Sequence, residues 1–220
     1  MTASTHGAEL FRIEPLPPSL FPIGDGPFRV RGLAYTTALE YVDTRLPGGR
    51  PALLAELGHD DPWAAYLQQI FVVAGDYDAS PLVRVFCAVA KLKNRPVAEF
   101  IERRSRASAK ADVHGMWKPL LKTSSPEAMA ERLHIAFNRY FRPCEAQNLS
   151  VTPGRFEAEL TKMPEPMAGL YVSSTRGFVS AALSAAGARD ADIVMAPPGP
   201  DGREGPVPLL RARFVATWTR

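Results

Sequence analysis

Cysteine is nearly absent: Cys87 and Cys144 are the only two in 220 residues. They form no CxxC pair and stand beside no histidine at metal-ligand spacing, so neither a disulfide framework nor a structural zinc site is indicated. Long apolar runs are missing too. No window of about 18 apolar residues occurs, and the amino terminus lacks an apolar stretch of signal-peptide length, which predicts a soluble cytoplasmic protein without a membrane partner. Charge of one sign is also lacking: 26 Lys and Arg against 23 Asp and Glu leave a net charge of +3, spread along the chain. The densest basic run, ERRSRASAK at 102–110, has no interleaved aromatics on which bases could stack, so it reads as a solvated helix face and nucleic acid is not expected. GxSxG, the P-loop, HExxH and GxGxxG do not occur either. Gly24-Asp25-Gly26 is followed by proline and a strand, which makes it a turn rather than a phosphate cradle.

What is present suits one globular domain with a sizeable core, since 46% of the residues are hydrophobic. Residues 1–27 hold five prolines (Pro15, Pro17, Pro18, Pro22, Pro27) among Leu10, Phe11, Ile13, Leu16, Leu20, Phe21 and Ile23. Proline bars regular helix, while the apolar side chains argue against a solvated linker, so this is an extended arm that packs on its own domain or on a neighbour. Residues 28–220 form the α+β domain. FRVRG predicts a short strand, and LAYTTALEYVDTRL, PALLAELG, DPWAAYLQQI and SPLVRVFCAVAKLKN predict helices. In the last of these Ser80 serves as cap and Pro81 leads. Two further helices are expected over 96–122, broken near Gly115.

SSPEAMAERLHIAFNRYF opens another capped helix, with Met129, Leu133, Ala136, Phe137 and Tyr140 on one face and His134 at its border. NLSVT and RFEAELT flank Pro153-Gly154 as a hairpin. A long helix over 166–186 ends at Gly187, and ADIVMA with PLLRARFVATW makes a second hairpin across a Pro/Gly-rich loop. The architecture expected is a helical amino-terminal half packed on a small antiparallel sheet of two hairpins linked by a long helix.

Few residues invite chemistry. His114 has Asp112 nearby, but residues two apart on a helix point in different directions, so a base oriented by that carboxylate is not expected. Lining a cavity beside Trp117 suits it better. His59, Asp60 and Asp61 suggest a metal until Pro62 is considered; capping the helix that Pro62 begins is the simpler role. The set Tyr77, Phe86, Trp117, Phe137, Tyr140, Tyr171 and Phe178 is spaced like core, part of which could line a cavity for a small apolar ligand. Arg104, Lys118 or Arg176 could meet a ligand's anionic end, and spacing does not select among them.

Taken together, FRVRGLAYTTALEYVDTRL, DYDASPL, HGMWKPLLKTSSPEAMAERL and PGRFEAELTKMPEPMAG with VSAALSAAGARDADIV resemble a myxobacterial paralogous family of uncharacterised function. That family in turn resembles the 4-vinyl reductase-like small-molecule-binding domain and, more distantly, the haem-NO-binding fold. The resemblance implies a haem-ligand position at His134, on the helix before the first hairpin. It also implies a Tyr-x-Ser-x-Arg motif for the haem propionates after that hairpin, where this chain has LTKMPEP. YVSSTR at 171–176 has its arginine one residue too late and is set aside as coincidence. No cysteine or histidine stands near the last hairpin, where the reductase-like domain often carries a metal set. The expectation is therefore a chain without a cofactor, haem through His134 being the alternative. It is read as a non-catalytic sensory or regulatory domain that binds a small apolar molecule at His134, His114, Trp117, Tyr77, Phe137 and Tyr171 and signals through a protein partner. The second reading is an adaptor whose degenerate pocket is filled and whose arm mediates association with a partner or in a homodimer.

Overall fold

The computed structural model describes residues 10–58, 61–114 and 125–219, with residues 111–114 described by backbone alone. Helices fill the amino-terminal half. They are α1 (Gly32–Arg45), α2 (Gly49–Leu57), the short α3 (Pro62–Tyr66), α4 (Ala79–Leu92) and α5 (Val97–His114). Beyond the next described residue, Ser125, α6 (Pro126–Tyr140) leads into the sheet region. There β4 (Glu145–Thr152) and β5 (Arg155–Pro164) precede α7 (Ala168–Ala185), and β6 (Arg189–Met195), β7 (Gly199–Glu204) and β8 (Val207–Thr219) follow it. The strands β4, β5, β8 and β6 lie side by side in that order, β7 also pairs with β8, and every pairing is antiparallel. The α+β architecture expected from the sequence is the one found. No described helix is long and apolar enough to cross a membrane.

A second small sheet contains the strand expected at FRVRG and adds two more. β1 (Arg29–Arg31) is flanked by β2 (Asp76–Asp78) and β3 (Phe141–Arg142), so the sheet draws together segments from three distant parts of the chain. β7 likewise forms inside the Pro/Gly-rich loop, because backbone pairing to β8 requires no apolar alternation. α3 is shorter than its sequence pattern, ending at Tyr66. α4 differs at its start: Asp78, rather than Ser80, is the cap and accepts from Ser80 N at 2.9 Å. Ser80 Oγ instead accepts from the Leu16 backbone N–H at 3.1 Å.

Asp78 is buried and binds more than its own helix. Its Oδ2 accepts from Gly24 N at 3.1 Å and Gly26 N at 3.3 Å, while its backbone carbonyl accepts from the Tyr35 hydroxyl at 2.5 Å. One carboxylate thereby satisfies backbone donors of the arm's last turn and of α4, as buried polar groups require. Tyr35 is itself fully buried and stacked on Phe71, ring centroids 4.2 Å apart.

The described part of the arm, residues 10–27, folds back on this chain. Phe11 and Leu16 are buried, Glu14 N donates to Pro166 O at 2.7 Å, and Gly169 N donates to Arg12 O at 2.8 Å. Gly169 permits that approach, since a Cβ there would stand 2.3 Å from Ile13 Cγ1. Gly177 plays the same part between α7 and α5, where a Cβ would meet the Glu102 carbonyl oxygen at 2.1 Å. The two helices therefore pack backbone to backbone at that point. Under them the sheet turns Phe156, Ala158, Leu160, Ala212, Phe214 and Ala216 inward, alternating with exposed Arg211, Arg213 and Thr217.

Candidate functional site

The sheet's apolar face does not meet the helices without a gap. A cavity of about 150 Å³ lies between them, walled by α1, α4 and α5 on one side, α6 and α7 on others, and β4, β5 and β8 below. Its surface is mainly aliphatic and aromatic, with Leu82, Phe86, Leu133, Phe137, Phe178 and Phe214 among the contributors.

α6 brings His134 to this cavity, and several bonds fix the helix. Ser125 Oγ accepts from Ala128 N at 3.2 Å, with Pro126 at the first helical position. Further along, Asn138 and Ala146 exchange two hydrogen bonds: Ala146 N to Asn138 Oδ1 at 2.6 Å and Asn138 Nδ2 to Ala146 O at 3.1 Å. Asn148 Nδ2 reaches back to the Ala130 and Glu131 carbonyls, at 3.4 and 3.0 Å. His134 is thus carried on a turn clamped to β4 on both sides.

The notable chemistry lies in what these side chains leave unpaired. His134 Nδ1, Asn148 Oδ1 and Thr175 Oγ1 are buried without a hydrogen-bond partner, and all three residues line the cavity. Buried polar atoms in folded proteins are nearly always satisfied, and leaving one bare costs about 1–3 kcal/mol. Three on one cavity form a set of polar anchors facing an apolar space, the composition of a ligand site.

Of the residues singled out in sequence, Phe86, His134, Phe137, Tyr140 and Phe178 line the cavity. Tyr77 lies elsewhere: its hydroxyl accepts from Val72 N at 2.8 Å, and its ring packs on Phe71 at 4.9 Å. Tyr171 is fully buried behind the wall, its ring edge-on to the lining residue Phe141 at 5.0 Å. His114 ends α5 and its side chain lies outside the described set, while Trp117 and Lys118 lie outside the described residues altogether. Ser174 and Thr175, within the YVSSTR stretch set aside as coincidence, do line the cavity. Asn148 was not singled out, although an asparagine in a strand runs against β propensity and is the signal that could have marked it.

Of the two candidate cations among the described residues, Arg104 is the one at the cavity. It lines the cavity, donates from Nη2 to Thr37 O at 3.0 Å, and lies over the Tyr41 ring with Cζ 4.5 Å from the centroid. Arg176 instead pairs with Glu102 at 3.4 Å and faces a groove on the other side of α5 and α7.

The residues present agree with haem in donor chemistry, because an unpartnered imidazole nitrogen facing an apolar cavity is what an axial ligand requires. The cavity volume matches a single aromatic ring and is smaller than a macrocycle requires.

No family model matches the chain, and no curated protein does; the myxobacterial and 4-vinyl reductase-like resemblance therefore has no sequence relative behind it. Solved structures do match. The chain is similar to an Fe(II) unliganded H-NOX protein from K. algicida, with 9% identity and a TM-score of 0.62 over 86% of this chain and 97% of that one. It is similar to an H-NOX protein from S. oneidensis in the Fe(II)NO ligation state, with 11% identity and a TM-score of 0.61 over 86% and 99%. A mutant H-NOX from T. tengcongensis shares 13% identity at a TM-score of 0.61 over 86% and 98%. The expectation of a chain without a cofactor is corrected here: these neighbours are iron proteins, and another is described through its haem redox potential and porphyrin distortion. At such identities the likeness extends to the fold, and the chain has the fold of the H-NOX domains.

Proposed function

We propose that this protein is a sensory domain that takes a small molecule into the cavity beside His134 and reports its presence to a protein partner. The observation that carries the reading is the convergence of three unpartnered buried polar atoms, on His134, Asn148 and Thr175, around one apolar cavity. The Tyr171 hydroxyl and Trp218 Nε1 are also buried without partners, but they lie singly outside the cavity lining, whereas these three share one space that a ligand could enter. Among the described residues the lining has no carboxylate and no thiol to work with His134 as acid, base or nucleophile, which favours binding over catalysis. An adaptor with a filled interior fits less well, because the interior is not filled.

Haem is the first ligand to test, since the structural neighbours are haem proteins and the imidazole stands ready. Bound there, it would supply an iron able to take a diatomic gas; His134 would hold the iron, and the apolar walls would exclude water. The test is reconstitution with haem followed by an absorption spectrum from 350 to 600 nm. The expected result is a Soret band that His134→Ala abolishes. Absence of the band in the parent protein, together with no binding of small aromatic probes by calorimetry, would overturn the reading.

A further inference from the structure

Arg104 differs from the other arginines around it. On the outer side of α5, Arg103 pairs with Glu99 at 3.5 Å, Arg106 pairs with Glu102 at 3.0 Å, and Arg176 of α7 shares Glu102. Each of these has a carboxylate. Arg104, one residue after Arg103, turns to the cavity and has none.

Its surroundings hold it in place without neutralising it. A single donor bond to Thr37 O and the face of Tyr41 fix the guanidinium, leaving most of its five N–H groups for other use. Burial lowers its proton affinity, with Tyr41 and then Glu40 acting in the opposite direction. Among the described residues no carboxylate lines the cavity, and His134 is the one imidazole that does. An apolar chamber whose described lining holds one desolvated cation and no carboxylate is complementary to one anion on an apolar body.

We propose that the cavity selects a ligand with a carboxylate attached to a flat apolar ring system, and that Arg104 is the residue that receives the carboxylate. The inference rests on the small-molecule reading above and narrows it to a ligand class. The guanidinium fork offers paired donors to the two oxygens, and the ring lies among Phe86, Phe137 and Phe178. One aromatic ring matches a cavity of about 150 Å³. The same chemistry occurs at the edge of haem, so the experiment compares acid with non-acid for both bodies.

The measurement is calorimetric titration of the parent protein, Arg104→Met and Arg104→Lys with benzoate and with benzyl alcohol, and in parallel with haem and its dimethyl ester. The parent is expected to bind the acid of whichever pair enters at least about tenfold more tightly than its neutral partner. Arg104→Met abolishes that preference while retaining the neutral ligand, and Arg104→Lys, which keeps the charge without the fork, restores part of it. Far-ultraviolet circular dichroism of both variants checks the fold, and the lysine variant carries the test if the methionine variant does not fold. Equal binding of acid and neutral partner by the parent overturns the assignment and leaves the cavity reading intact. A preference that survives in Arg104→Met, or is untouched by Arg104→Lys where that variant carries the test, overturns it as well. Failure of all four probes removes both.

Discussion

Gly177 of α7 sits against Glu102 of α5 so closely that a methyl group on it would lie 2.1 Å from the Glu102 carbonyl oxygen. The atom in the way is backbone, so it cannot rotate aside. Gly177→Ala is expected to cost about 1–3 kcal/mol in a urea titration, despite the better helix propensity of alanine. Because α5 carries Arg104 and Ser105 into the cavity wall, the same variant should also weaken binding of any cavity ligand. A midpoint at or above that of the parent would show that the helices can part without loss.

Asp78 supports a second prediction. Replacing it with alanine strands the backbone donors of Gly24, Gly26 and Ser80 in a buried setting. A loss of about 3 kcal/mol is expected, adding the helix cap to the bonds of the turn. Chemical denaturation measures it, and a loss under about 1 kcal/mol would mean that water reaches those donors.

His134 should behave in the opposite way. Its Nδ1 has no partner in the folded chain, so an apolar side chain of similar size removes a buried polar atom without breaking a bond. For the ligand-free protein, His134→Leu is expected to leave stability unchanged or raise it by about 0.5–1 kcal/mol. It should abolish ligand binding at the same time. Marked destabilisation would instead show that the imidazole has a structural role.

Alkaline pH gives a fourth test. Burial pushes the phenols of Tyr35 and Tyr171 well above their ordinary 10.0 and the Cys144 thiol well above its ordinary 9.0. All three have folded-state values raised above the unfolded ones, so the protonated form is the one the fold holds. Their contribution is fully present below the unfolded values and is lost as pH rises through the folded ones. Urea midpoints should therefore be level from about pH 7 to 8.5 and fall beyond about pH 9. A profile flat to about pH 10.5 would mean that these groups are hydrated in the folded protein.

Local signals in the sequence were a good guide wherever one stretch of chain decides its own shape. Ser125-Pro126 gives the start of α6, and the hairpin turns at Pro153-Gly154, with Gly154 at φ 73. The apolar face of α6 is the buried one at Met129, Leu133 and Ala136. What was not legible is what several distant segments make together. Residues 29–31, 76–78 and 141–142 are too short to show a period, yet they pair across most of the chain. The cavity escapes for the same reason. His134 and Phe137 have the spacing of core residues and line it, Tyr171 has the same spacing and lies behind its wall, and only tertiary placement separates them.

The seat of the arm fixes when it can be taken. Residues 11–14 lie against Pro166 and Gly169, a segment that leaves the ribosome roughly 150 residues later, on the order of ten seconds at ordinary rates of synthesis. Until then the Arg12 carbonyl and the Glu14 N–H lack the partners they bind in the folded chain. Apolar side chains made early are thus covered late, and through that interval Phe11 and Ile13 stand open to a chaperone.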